Sequence, residues 1–172
     1  DVVAALPGSV RAAQALHNAA LNVASAADAE GPTVRIARGD NVILGRSVSA
    51  ATLAQTVTVQ GLTSNVTVPQ LNNVDSHQAV TIVFAEAAVP QYSTQQPTAY
   101  PVSAVTSVNV MVDGVLVNVT NLTQPIVLTF ATTNPALDDC RYYDTATRLW
   151  KRDGVNKTAT TATTIQCATT HL

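Results

Sequence analysis

From Thr33 onward the chain is a succession of short runs rich in Val, Ile and Thr, separated by Gly, Pro, Asn and Asp. The runs are TVRIA, NVILGRSV, QTVTVQ, NVTVP, AVTIVFA, SVNVMV, VLVNV and PIVLTF. No other feature constrains the fold as strongly. β-branched side chains crowd a helix but fit a pleated surface, and short runs of this kind bounded by turn residues read as strands. Many short strands in one chain of 172 residues imply an antiparallel β-sandwich or barrel. The clearest local signal is VNVMVDGVLVNV. Its Asp113 and Gly114 sit between two strands and suit a two-residue type I′ hairpin turn, which needs positive φ at both positions. No repeat of 20 to 50 residues interrupts this organisation.

The first 32 residues differ in character. The segment SVRAAQALHNAALNVASAA, Ser9 to Ala27, is Ala-rich, with Val10, Ala13, Leu16, Ala20 and Leu21 near helical spacing. Ser9 stands where a cap belongs, and the stretch ending in Gly31 and Pro32 stops the helix. The expected division is therefore a helical segment over 1–32 and a β unit over 33–172. His17 on that helix reads as a solvated or capping residue. Arg38, Gly39 and Asp40 spell RGD, but they fall between two strands where a turn wants Gly and Asp, and ordinary turn chemistry accounts for them.

Charge excludes one class of partner. Only 12% of residues are charged and the net charge is -2, so no basic face exists to neutralise a phosphate backbone, and nucleic acid is not expected. The sparse charge and the abundance of Thr, Ser, Asn and Gln suit an extracellular β surface. The chain begins DVVAALPG, and its only Met is Met111, which reads as an excerpt or a trimmed product. Its apolar runs, such as Ala79 to Val89, are broken by Thr81 and Glu86 and end at Pro90, short of the roughly 20 residues of a spanning helix. Direct membrane insertion is not expected. Sequons at Asn65, Asn118, Asn121 and Asn156 are glycosylation candidates. In a secreted domain the pair Cys140 and Cys167 reads as one disulfide. His17, His77 and His171 lack metal-ligand spacing, and no G-x-S-x-G or H-E-x-x-H occurs, so neither a metal nor another cofactor is expected.

The last 35 residues, DDCRYYDTATRLWKRDGVNKTATTATTIQCATTHL, hold Cys140, Tyr143, Trp150, Asp153-Gly154, Cys167 and a final Thr170-His171-Leu172. This stretch, 138–172, resembles the GPCR proteolysis site (GPS) that ends the GAIN (GPCR autoproteolysis-inducing) domain of adhesion receptors and polycystin-like proteins. The family order is Cys, Trp, Trp, Cys, then Cys-x-Cys-x-His-Leu. Cys140 matches the first cysteine, Tyr143 stands where a Trp is usual, Trp150 matches the second Trp, and Cys167 matches the third cysteine. Val155 and Thr169 occupy the places of the second and fourth cysteines, so one family bridge is absent as a pair and Cys140–Cys167 is the other. Upstream, VNVTNLTQPIVLTF resembles the family's strand, Asn-Leu turn and Pro-led strand, and NVTVPQL an earlier strand ending in Pro.

The resemblance implies a mainly β fold, an antiparallel sandwich like GAIN subdomain B, preceded by a reduced, short α-helical subdomain A over 1–32. It also implies self-cleavage after Leu172: the hydroxyl of a following Ser or Thr attacks the Leu172 carbonyl, and an ester forms that water hydrolyses. A hydroxyl is a weak nucleophile and needs a base, and an imidazole, with a free value near ~6.5, suits that role, which falls to His171. Such cleavage is a single event in cis rather than enzymatic turnover. Tyr143, Trp150, Gly154 and Thr170 become the scaffold of the scissile turn. The implied partner is the C-terminal fragment of the same precursor, its strand held in the sandwich and followed by a membrane domain. The implied location is the extracellular face of a plasma or ciliary membrane. The missing bridge and single helix point to a polycystin-like or protist-type branch. The alternative is a non-cleaving secreted β-sandwich that serves adhesion or binding.

Overall fold

The computed structural model describes residues 33–39, 41–53, 56–72, 74–87, 105–132, 139–144, 147 and 149–172. The expected N-terminal helix, with His17, lies outside the described residues. The described strands form two five-stranded antiparallel sheets and one two-stranded ribbon. β1 (Val34–Arg38), β2 (Asn41–Ser49), β5 (Ala79–Ala87), β6 (Val105–Val112) and β7 (Val115–Val117) make the first sheet, in that order across it. The second runs β11 (Val155–Thr160), β12 (Thr164–Thr169), β8 (Ile126–Ala131), β4 (Ser64–Val68) and β3 (Val57–Gln60). β9 (Tyr142–Asp144) and β10 (Leu149–Lys151) form the ribbon. The mainly β, antiparallel sandwich expected from the sequence is the observed architecture.

Alternation drives the packing. In β5, Val80, Ile82 and Phe84 point to one face and are fully buried, as successive side chains of a strand face opposite ways. They meet Val57 and Val59 of β3, Val66 and Val68 of β4 and Ile126 of β8, so both sheets contribute to one apolar core. Glu86 has the same parity as Phe84 and therefore also points between the sheets, 4% exposed. There its carboxylate accepts the Leu62 and Thr63 amides at 2.9 Å each, the Ser64 hydroxyl at 2.8 Å, and the Thr63 hydroxyl. One side chain of the first sheet thus satisfies the β3–β4 turn of the second.

The turns follow their residues. Asp113 (φ 49°) and Gly114 (φ 79°) join β6 to β7 with Val112 opposite Val115, as the Asp-Gly pair requires. Asp113 also accepts the Ala79 amide at 3.0 Å, which ties this hairpin to the start of β5. Arg38 ends β1 and Gly39 (φ 57°) turns the chain into β2, so these two members of the RGD tripeptide serve a hairpin. Helix α1 (Ala50–Leu53) is a single turn whose first amide-bonding oxygen comes from Ser49, which accepts the Thr52 N–H at 3.2 Å. Among the described residues no helix is long and apolar enough to cross a membrane.

Candidate functional site

The chain's C-terminal segment lies where three elements converge: the end of β12, the loop after β7 and the turn between β10 and β11. β12 lies between β11 and β8, so its position is set from both sides. Its Cys167 is opposite Lys157 of β11 and Leu128 of β8. Cys167 bonds to Cys140, with Cα atoms 5.8 Å apart, and the pair packs with Ile165, Phe130 and Val155 in a small separate core. The bridge anchors β12 to the segment that leads into β9.

Beyond β12 the backbone is held by hydrogen bonds on both sides. Thr169 donates its hydroxyl to the His171 carbonyl at 2.8 Å and accepts the His171 N–H at 3.3 Å. The Leu172 N–H donates to the Val119 carbonyl at 2.9 Å, and the Leu122 N–H to the Thr170 carbonyl at 3.3 Å. Asn121 takes a positive φ of 54° between these contacts, and the buried Leu122 fastens the loop to the core. This is the Asn-Leu turn of the sequence, and its neighbours grip the His-Leu end.

The His171 imidazole is half-buried and turns its Cε1 edge to Gly154. A Cβ at Gly154 would collide with the ring's Cε1, 1.9 Å away, with Nδ1 at 2.8 Å and Nε2 at 2.9 Å, and φ there is +76°, which L side chains seldom adopt. The turn therefore needs glycine twice over. Replacing Gly154 with Ala should cost about 1–2 kcal/mol from the backbone alone. It should also displace the imidazole, visible as a changed His171 ring chemical shift in a protein that still folds. Tyr142 also packs on the ring, edge to face, with centroids 6.3 Å apart and planes at 87°.

Asp139 lies next to Cys140 and ties the neighbouring segments. It pairs with Arg141 at 2.6 Å and with Arg152 at 2.7 Å, which links the start of the motif to the turn that carries Gly154. Burial by itself would raise the Asp139 carboxyl. Hydrogen bonds and charge from the two guanidinium groups outweigh it and hold the group below the ordinary carboxylate value.

The structure brings together His171, Leu172, Gly154, Thr170 and the Cys140–Cys167 bridge, all named from sequence. Tyr143 and Trp150 are directly opposite in the β9–β10 ribbon. Three participants were not legible. Tyr142 meets the imidazole; Val119 receives the Leu172 amide; and Thr169 closes the turn. Thr169 carried a signal, since it stands where the motif expects a cysteine and is directly opposite Val155, where the motif expects the other. Of the sequons, Asn118, Asn121 and Asn156 are exposed and Asn65 is half-buried in β4.

Comparison with known proteins follows the same lines. The fold is similar to part of the full extracellular region of zebrafish Gpr126/Adgrg6, with a TM-score of 0.58 and 14% sequence identity over 92% of this chain. The chain spans 26% of the length of that extracellular region. No curated protein sequence matches. The family model of the GPS, described as GAIN subdomain B, matches residues 47–172, which takes in all of the C-terminal motif and both sheets apart from β1 and most of β2. The chain belongs to the GPS family and is a GAIN subdomain B.

Proposed function

We propose that this domain cleaves its own precursor after Leu172, as the extracellular part of a membrane receptor or polycystin-like protein. One observation carries the reading: His171 and Leu172 stand in a turn held by hydrogen bonds to their own strand and to the β7–β8 loop, with the imidazole seated against Gly154 and Tyr142. Fixed geometry of this kind supplies the proximity and orientation that an intramolecular attack requires.

The reaction balances without a cofactor. The hydroxyl oxygen of a Ser or Thr after Leu172 forms a bond to the Leu172 carbonyl carbon while its proton passes to His171. The C–N bond then breaks, and the imidazolium returns the proton to the departing amine. Leu172 is left as an ester of the side-chain oxygen. Water attacks that ester, which gives a free Leu172 carboxylate and restores the hydroxyl on the new N-terminal residue.

Retention of the downstream fragment fits the same geometry. Among the described residues β7 is an edge of its sheet, with Val115 and Leu116 66% and 58% exposed. The Leu172 N–H bonds to Val119, two residues past the end of β7, so a chain continuing beyond Leu172 starts beside this apolar strand. The fragments would then stay associated by strand pairing, with the membrane domain on the second, at the extracellular face of a plasma or ciliary membrane. The exposed sequons Asn118, Asn121 and Asn156 are compatible with glycosylation there.

A non-cleaving adhesion or binding module is the second reading, favoured by Val155 and Thr169 in place of the second cysteine pair. Replacing His171 with Ala separates the two. In a precursor carried past Leu172, loss of the base should slow cleavage by about 10²–10⁴-fold. A denaturing gel would then show two fragments from the parent and one chain from the variant. Equal behaviour of the two would remove His171 from the reaction.

A further inference from the structure

The peptide unit between His171 and Leu172 is held at both polar ends. Its carbonyl accepts the Thr169 hydroxyl at 2.8 Å, and its N–H donates to the Val119 carbonyl at 2.9 Å. Fixing that plane fixes the direction in which the Leu172 Cα, and with it the Leu172 carbonyl, leaves the turn. The same hydroxyl accepts the His171 N–H, so one oxygen sets both the peptide before and the peptide after His171. Thr169 is 5% exposed, and its strand has Val155 on one side and Ile126 on the other. Its hydroxyl therefore competes little with water and keeps one arrangement.

The geometry points to Thr169 as a positioning residue for cleavage: its hydroxyl orients the His171–Leu172 peptide in the role that a covalent bridge to position 155 would otherwise fill. This rests on the self-cleavage reading above. Val155 and Thr169 are directly opposite in the β11–β12 pair, the relation in which two cysteines of an antiparallel pair lie within bridging range. A cystine there would fix only the root of the turn. The Thr169 hydroxyl reaches two residues further and holds the carbonyl of His171 itself. Val155 supplies apolar packing beside the Cys140–Cys167 core and leaves that hydroxyl free for the turn.

The test uses the precursor carried past Leu172, with Thr169→Val, Thr169→Ser and the double variant Val155→Cys/Thr169→Cys. Thr169→Val keeps shape and burial but removes the hydroxyl. It should lower the cleavage rate tenfold or more, as expected when a reacting group loses its orientation, while the pH of half-maximal rate stays in place because the base is untouched. Thr169→Ser should recover the rate to within about threefold. The double variant, oxidised, should cleave faster than Thr169→Val, with Cys140–Cys167 intact in both. Cleavage of Thr169→Val at the parental rate, or failure of Thr169→Ser to rescue, would overturn the assignment. Amide hydrogen exchange at His171 and Leu172 decides the matter independently of cleavage. Thr169→Val should expose both amides while those of β12 stay protected, and unchanged protection would refute the clamp even in a precursor that proves uncut. A parent that does not cleave refutes the reaction alone.

Discussion

Replacing Glu86 with Ala should destabilise the domain by about 2–4 kcal/mol, because buried donors that lose their acceptor cost roughly 1–3 kcal/mol each and part of the β3–β4 turn can still reach water. Every partner of this carboxylate is a donor: two amides, Thr63 Oγ1 and Ser64 Oγ. Glu86→Gln is therefore the sharper probe. It preserves volume but turns one acceptor oxygen into an NH₂ group that faces donors, and it should cost most of what the Ala variant costs. Urea unfolding of the three proteins measures both effects. A Gln variant as stable as the parent would mean that the side chain acts by packing alone. Gly61 belongs to the same unit, since a Cβ there would run into the Glu86 carboxylate and Phe84.

The second large effect is expected at the disulfide. Cys140 and Cys167 are 27 residues apart, and closing a loop of that size restricts the unfolded chain by roughly 3–4 kcal/mol. Reduction, or the Cys140→Ser/Cys167→Ser double variant, should lower stability by about that much. It should loosen the C-terminal segment first, because the bridge is part of a small core with Ile165, Phe130 and Val155 that is separate from the main one. Hydrogen exchange should show β11, β12 and the His171 turn opening ahead of β2 and β5. Uniform loss of protection across both sheets would show instead that the two cores unfold as one.

How far the sequence leads differs from element to element. Eight strands were legible because Val, Ile and Thr alternate with polar residues in runs closed by turn residues, and the Asp113–Gly114 hairpin fell where its φ angles require. β11 was not delimited. It is an edge strand, VNKTAT, whose side chains are almost all exposed, so no burial pattern marks its bounds. Sheet order was not legible either, since β2 pairs with β5 across the intervening β3 and β4, a choice made by packing rather than by local pattern. Within the site, His171, Leu172 and the cysteines were legible through a motif. Tyr142, the aromatic that meets the imidazole, was not singled out, whereas its neighbour Tyr143 was, as scaffold of the turn. In a strand one residue of offset reverses the face, and sequence spacing alone does not decide between adjacent tyrosines. Glu86 looked like a mere break in an apolar run. Its meaning comes from the opposite sheet, which local sequence does not contain.

Intact-mass analysis of the natural precursor, carried past Leu172 and purified under native conditions, tests the central claim most directly. The account predicts two masses, the first ending in a free Leu172 carboxylate and the second beginning with Ser or Thr, that elute together on gel filtration and separate only in denaturant. A single unbroken mass, or a break at any other bond, would contradict it.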